Sequence, residues 1–89
     1  MKAIVSVIGK DTVGILAKVS GTCAEHNANI IDVTQSVMKD IFTMIMLIDI
    51  AELSSDFSAL SESLEALGES IGMKIHVMHE DIFNSMHRI

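Results

Sequence analysis

The fold is decided by the stretch Gly9-Lys10-Asp11-Thr12-Val13-Gly14-Ile15-Leu16, which joins an alternating apolar run to an amphipathic one. The run before it, residues 3–8, is short and rich in β-branched side chains, which favours a strand over a helix. The residues that follow at helical spacing on one side are Ile15, Leu16, Val19, Cys23 and His26. The sequence therefore predicts a strand that enters a helix through a tight turn containing glycine.

The start of this predicted helix is suited to binding an anion. We place the start near Thr12 or Val13, with the side chain of Asp11 or Thr12 as the N-cap. The NH groups of a first helical turn have no partner within the helix and lie at the positive end of the helix dipole, so they favour a carboxylate or a phosphate. At the other end, Asn27 is predicted to end the helix in the left-handed conformation.

Two extended runs follow, at residues 29–38 and 41–50. Only Lys39-Asp40 separates them, which predicts a tight antiparallel hairpin. In the second run, one predicted face carries Phe42, Met44, Met46, Ile48 and Ile50, and the other carries Ile41, Ile45 and Leu47. One layer of helices covers only one face, so we expect the second to contact a partner subunit or another element.

The clearest helical pattern lies at residues 57–71. Its apolar positions are Phe57, Leu60, Leu64, Leu67 and Ile71. Ser54 or Ser55 is the predicted N-cap, and Gly72 is the predicted stop. Residues 73–78 alternate as a fourth strand, and the tail, residues 81–89, has Ile82, Phe83, Met86 and Ile89 at helical spacing.

This order of elements predicts an α+β, ferredoxin-like βαββαβ fold. Right-handed crossovers place both main helices on one face of a four-stranded antiparallel sheet, and a short C-terminal helix follows. With 89 residues, the chain is expected to form a single domain over 1–89.

Charge and composition exclude several classes of function. The formal net charge of −6, with only six basic residues, argues against a nucleic-acid partner. No apolar run approaches the ~20 residues that span a bilayer, so no membrane partner is expected. The mean hydropathy of +0.47 is high for a small soluble protein and favours a buried oligomer interface. A single cysteine and the lack of a signal-peptide pattern predict a cytoplasmic protein.

The sequence supports neither a metal site nor a catalytic one. A metal site would group His76, His79 and His87, but the first two are an odd number of positions apart and so point to opposite faces of a strand. Cys23 lies on the apolar side of the first helix, where a buried small side chain explains it, and no basic residue is adjacent to activate the thiol. We therefore expect no metal, no cofactor and no enzymatic activity.

Two segments resemble the ACT domain family. They are Gly9-Lys10-Asp11-Thr12-Val13-Gly14-Ile15 and Asn29-Ile30-Ile31-Asp32. In that family a strand ends in a Gly-x-Asp-x-x-Gly-Ile segment, and an Asn-Ile pair opens the second strand. The resemblance covers essentially the whole chain. The chain is similar to short stand-alone members of the family that are related to the glycine-cleavage repressor and to the ACT part of formyltetrahydrofolate deformylase. Many members carry Arg-Pro where this chain has Thr12-Val13.

The resemblance implies a regulatory module that binds an amino acid or a similar small metabolite where two such domains meet. Gly14 allows close approach of the backbone, and Asp11 accepts from a ligand ammonium group. The NH groups of Val13, Gly14 and Ile15 face the ligand carboxylate. Asn29 and Ile30, from the same or a second subunit, complete the wall of the site. The expected ligand-binding residues are thus Asp11, Thr12, Val13, Gly14, Ile15, Asn29 and Ile30.

A second interpretation needs no ligand. In it, Gly14 only permits tight packing of the helix on the strand, and Asp11 only caps the helix. The protein is then a ligand-independent dimerisation or protein-interaction module. The first interpretation predicts a homodimer, and the second predicts a chain that dimerises or docks on an enzyme or regulator. A regulated protein partner is compatible with both.

Overall fold

Seven elements make up the fold of residues 1–86, the part of the chain that the structure, a computed structural model, describes. They follow the predicted βαββαβ order and end in a short helix. Their bounds are β1 Lys2–Lys10, α1 Ile15–Glu25, β2 Asn29–Met38, β3 Ile41–Asp49, α2 Phe57–Ile71, β4 Met73–His79 and α3 Glu80–Met86.

The four strands form one antiparallel sheet in the order β2-β3-β1-β4. Strands β1 and β2 each pair antiparallel with β3, so they run in the same direction. Lys2 and Asn29 both pair with Asp49, and therefore the start of β2 lies at the same end of the sheet as the start of β1. The end of β1 and the β2–β3 turn lie at the opposite end.

The core forms between one face of the sheet and helices α1 and α2, as predicted. On β3 the alternate residues Phe42, Met44, Met46 and Ile48 are buried, as is Ile50, which follows the strand. The helical side chains in the same buried cluster are Ile15, Val19, Cys23, Leu60 and Leu64. Both main helices therefore cover the same sheet face.

Helix α1 starts later than the sequence suggested. It begins at Ile15, and its N-cap is Gly14 at φ 85°, which makes no side-chain hydrogen bond to the helix. The predicted start near Thr12 or Val13, and the predicted cap by Asp11 or Thr12, are therefore wrong. The reason is that β1 continues to Lys10, so the next four residues are needed to carry the chain from the sheet to the helical layer.

Helix α2 is capped by Asp56 and not by either of the predicted serines. The Asp56 carboxylate accepts a 2.8 Å hydrogen bond from the NH of Ala59, so the predicted cap by Ser54 or Ser55 is wrong. The backbone NH of Ser54 instead donates to the carbonyl oxygen of His26, at 3.0 Å. The predicted stop is confirmed, since Gly72 follows the helix at φ 73°.

His26 joins the end of α1 to α2. Its Nδ1 lies 2.7 Å from Ser55 Oγ, and its Nε2 lies 3.0 Å from Ser63 Oγ, so both ring nitrogens are hydrogen-bonded. The next residue, Asn27, has φ 60°, which confirms the predicted left-handed end of α1. His26 thus crosslinks two helices.

The opposite face of the sheet is only partly covered. Helix α3 contacts β1 and β4, and Ile4, whose side chain points away from α1 and α2, is only 7% exposed. Ile8, Met38 and Ile41 remain exposed near the β2–β3 turn. The last predicted positions of the terminal helix, including Ile89, lie outside the described residues, as does His87.

Candidate ligand-binding site

The first turn of α1 presents backbone donors without acceptors. The first NH of the helix that forms a hydrogen bond is that of Lys18, to the carbonyl oxygen of Gly14 at 3.0 Å. Within residues 1–86, the NH groups of Ile15, Leu16 and Ala17 have no acceptor, since no side chain caps the helix. Three donors at the positive end of a helix dipole suit a carboxylate.

Gly14 leaves open space in front of these donors. A Cβ built on this residue meets no heavy atom within 4 Å, so the surface here is backbone. The left-handed φ of 85° is one that side-chain-bearing residues rarely adopt. The residue type is therefore required by the backbone conformation, and the lack of a side chain lets a ligand approach the amides.

The charges around the loop favour an anion at the amides. The first turn of α1 contains no acidic residue. Lys10 ends β1, Lys18 lies one turn into α1, and Lys39 lies in the β2–β3 turn at the same end of the sheet. Three lysines and two aspartates, Asp11 and Asp40, therefore lie near this end, so basic residues outnumber acidic ones here in a chain whose formal net charge is −6.

Asp11 supplies the one carboxylate of the loop itself. The residue is exposed, and within residues 1–86 its side chain has no hydrogen-bond partner, although its backbone NH is bonded to Asp40. Because this carboxylate does not cap α1, it is free to accept from a cationic group. The loop thus combines backbone donors for a carboxylate with an acceptor for an ammonium group.

Exposed apolar side chains lie in the loop and at the same end of the sheet. Val13 is 93% exposed, and Leu16, in the first turn of α1, is also exposed. Met38 and Ile41, which flank the β2–β3 turn at the same end of the sheet, are exposed too. A ligand or a second chain at the loop would remove some of this apolar surface from water.

Within one chain, the structure does not bring Asn29 and Ile30 to the loop. They open β2 at the end of the sheet where β1 starts, whereas the loop follows the end of β1, so about 25 Å of strand separates them. Asn29 instead lines a polar surface cavity of about 320 Å³ with Asn27, Asp49, Ala51 and Glu52. A site that uses both the loop and Asn29 therefore requires two chains.

Two of the three free donors, the NH groups of Leu16 and Ala17, are not among those expected from the sequence. The reason is that the predicted helix start lay two or three residues too early, which moved the expected donors to Val13 and Gly14. Gly14 was the residue in the sequence that could have indicated the correct start of α1. A glycine that follows a strand and precedes an apolar helical stripe is compatible with an N-cap as well as with the first turn.

The remaining reactive side chains do not converge. His76 is exposed on the face opposite the helices, whereas His79 stacks on Phe57 with ring centroids 4.3 Å apart. Within residues 1–86, no three His, Cys, Asp or Glu side chains are grouped closely enough to hold a metal ion. Cys23 is fully buried, and desolvation raises the pKa of its thiol to about 11. None of the helices described is both long and apolar enough to cross a bilayer.

Comparisons with known proteins agree on one family. The model of the ACT domain matches residues 2–78. A UPF0237 protein of Methanococcus maripaludis is 54% identical over 86 residues, which cover 97% of this chain and 96% of the relative.

Solved structures agree with this match. An ACT domain protein from Streptococcus pneumoniae is 41% identical with a TM-score of 0.80, covering 93% of each chain. A formyltetrahydrofolate deformylase from Pseudomonas syringae is 26% identical with a TM-score of 0.78, over 88% of this chain and 27% of the deformylase. A putative glycine cleavage system transcriptional repressor shares the fold, at 23% identity and a TM-score of 0.72, over 85% of this chain and 43% of the repressor.

Proposed function

Since the chain belongs to the ACT domain family, whose members are typically regulatory modules that bind small ligands, we propose that it is a cytoplasmic, non-catalytic sensor of an amino acid or a similar small metabolite. The observation that carries this proposal is the first turn of α1. Its three NH groups have no acceptor in the described part of the chain, and Gly14 leaves the space before them open.

The chemistry of the loop favours a zwitterion over a simple anion. The NH groups of Ile15, Leu16 and Ala17 bind the carboxylate, and the exposed Asp11 carboxylate accepts from the ammonium group. A phosphate would place two or more negative charges close to Asp11, which costs electrostatic free energy. An α-amino acid supplies both charges within a single small molecule.

We propose that the ligand lies between two chains. Strand β2 is an edge strand of ten residues, none of which is buried, and apolar Ile31, Val37 and Met38 are exposed on it. If two β2 strands pair antiparallel about a two-fold axis, the start of one strand lies beside the end of the other. Asn29 of the partner subunit then lies at the same end as the loop, where it can complete the site.

Calorimetric titration with a panel of the common amino acids tests the proposal. At least one should release or absorb heat saturably with the wild-type protein. The Gly14→Val variant should lose that heat, because its branched side chain obstructs the amides and is strained at φ 85°; its circular dichroism spectrum shows whether the fold is retained. The control is Gly21→Ala, an exposed position within α1, which should bind normally. No heat from any amino acid would contradict a sensor of amino acids.

A second candidate function is ligand-independent dimerisation or protein interaction. The exposed β2 edge supports it, since a long unpaired strand with apolar side chains is a template for pairing with another chain. This candidate predicts dimers in light scattering at micromolar protein concentration without any ligand. It also predicts that the Gly14→Val variant dimerises as well as the wild type.

A further inference from the structure

A groove lies between α2 and the outer edge of β4; it contains no residue of the β1–α1 loop, although Met73 at one end of it pairs with Gly9. Its volume of about 430 Å³ makes it larger than the polar cavity that contains Asn29. Strand β4 is paired only with β1, so within residues 1–86 the other edge of its backbone has no strand partner. The groove therefore exposes main-chain donors and acceptors of the kind that extend a sheet.

Gly68 brings α2 directly onto this edge. A Cβ at residue 68 would lie 2.7 Å from the carbonyl oxygen of Met73 and 2.9 Å from Cγ1 of Ile75, so only glycine allows the helix to approach this closely. The wall of the groove is therefore close to the strand. An extended segment placed along β4 would lie beneath the side chains of the neighbouring turns of α2.

Those side chains are Glu65 and Glu69, which lie one turn apart on either side of Gly68 and line the groove. Both are exposed, and within the described residues neither forms an ion pair or a hydrogen bond. Like charges one turn apart on a helix repel each other. A cationic group in the groove would relieve this repulsion.

The other side of β4 carries the opposite charge. Met73 and Ile75 are buried beneath α2, so the alternate residues Lys74 and His76 point to the opposite face of the sheet, and both are exposed. A strand added to β4 would thus meet carboxylates on one face and a lysine on the other. The two faces of the added strand need different side chains.

We propose that this groove binds an extended segment of a partner protein, which adds to β4 as a fifth strand and carries Lys or Arg at alternate positions facing Glu65 and Glu69. The main chain of the segment pairs with the free edge of β4, and the positions between its basic residues, which face Lys74, suit polar or acidic side chains. Glu65 and Glu69 have no ion-pair partner among the described residues, so their charge favours a basic segment over an acidic or neutral one.

A second copy of the chain is a poor occupant of the same edge. Pairing of two β4 strands about a two-fold axis would bring two α2 helices together, each with Glu62, Glu65 and Glu69 exposed. Opposed carboxylates disfavour that arrangement, whereas the β2 edge lacks such a helical wall of glutamates. The groove therefore fits a partner that is chemically unlike this chain.

The probe for this inference is a blocked octapeptide of alternating Arg and Thr. Titrated at low salt into ¹⁵N-labelled full-length protein, it should shift the backbone amides of β4 saturably. The variant Glu65→Gln/Glu69→Gln should bind it about fivefold more weakly, the size expected for losing two exposed charge pairs. The control Glu25→Gln/Glu52→Gln changes the net charge equally, away from the groove, and should bind like the wild type.

Several results would overturn the proposal. These are an absence of shifts at millimolar peptide, shifts centred on β2, equal affinities of the two double variants, or equal binding of an octapeptide of alternating Glu and Thr. The groove shares no residue with the β1–α1 loop, so the amino-acid sensor and the groove can fail separately. Gly14→Val should lose the amino acid and keep the peptide.

Discussion

The backbone NH of Asp11 donates a 2.8 Å hydrogen bond to the carbonyl oxygen of Asp40. This bond joins the loop that precedes α1 to the turn between β2 and β3, where Lys39 has φ 58°. The main chain of Asp11 is therefore structural, while its side chain is free. A substitution that changes only the side chain separates these two roles.

Asp11→Asn should weaken amino-acid binding without unfolding the protein. The NH that bonds to Asp40 is retained, so the free energy of unfolding should change by less than about 0.5 kcal/mol. The amide of Asn still accepts a hydrogen bond but carries no negative charge, and loss of this charge beside the ammonium group should reduce the affinity for the amino acid found by calorimetry about tenfold. The matching carboxylic acid without an amino group should bind the variant at least as well as the wild type, because the repulsion from Asp11 is removed. An equal loss for both ligands would contradict the role of the side chain.

Gly14→Ala and Gly21→Ala should change stability in opposite directions. A Cβ at either position meets no heavy atom within 4 Å, so steric contact does not distinguish the two variants. Alanine at residue 14 must adopt φ 85°, which should cost about 1–2 kcal/mol. Alanine at residue 21, inside α1, should stabilise by about 0.5–1 kcal/mol. Urea unfolding measures both; equal effects would show that φ at residue 14 is unimportant.

Gly68→Ala should destabilise the protein although it raises helix propensity. The added methyl group lies 2.7 Å from the carbonyl oxygen of Met73, so α2 must move away from β4. We expect a net loss of about 1–3 kcal/mol, as is usual for overpacking. Thermal unfolding should show a lower midpoint than for Gly21→Ala, the same chemical change at an open position. A higher midpoint than that of the wild type would contradict the close helix–strand contact.

Asp56→Ala should cost about 1 kcal/mol, whereas Ser54→Ala should cost less than about 0.5 kcal/mol. The first change removes the acceptor of the Ala59 NH at the start of α2. The second keeps the backbone NH that bonds to His26 and removes only an exposed hydroxyl group. Chemical denaturation of the two variants decides between the observed cap and the cap expected from sequence. A larger loss for Ser54→Ala would contradict the structure.

Cys23 should make stability depend on pH in the alkaline range. Burial raises the pKa of its thiol from 9.0 to about 11, so the folded state holds the proton more tightly than the unfolded state. The thiol's contribution is complete below pH 9 and falls as pH rises, by about 2 kcal/mol at pH 11. The free energy of unfolding of Cys23→Ala should fall less steeply between these pH values. Parallel curves would mean that the folded thiol ionises normally.

The periodicity of the apolar residues was enough to predict the order of the strands and helices. The alternation along β3, from Phe42 to Ile50, gave the buried face because successive residues of a strand must point to opposite sides. Gly72 and Asn27 marked helix ends because few residues adopt the left-handed conformation without strain. These predictions depend on local backbone geometry, which each residue type restricts by itself.

The helix starts were less predictable. Asp11, Thr12, Ser54, Ser55 and Asp56 are all chemically able to cap a helix, and composition does not choose among them. The choice was made by contacts distant in sequence, such as the pairing of Lys10 with Ile41 and the bond from Ser54 to the carbonyl of His26. Those contacts decide how many residues connect the preceding strand to the first residue of the helix.

By itself, the sequence determined the order of elements, the buried face of the sheet and the family, since these follow from apolar periodicity and from motifs read along the chain. Only the tertiary structure decided which residues share a site. Because β1 and β2 both run antiparallel to β3, Asn29 lies at the opposite end of the sheet from Gly14. The edge strands β2 and β4 likewise became available for partners only through the order in which the strands assemble.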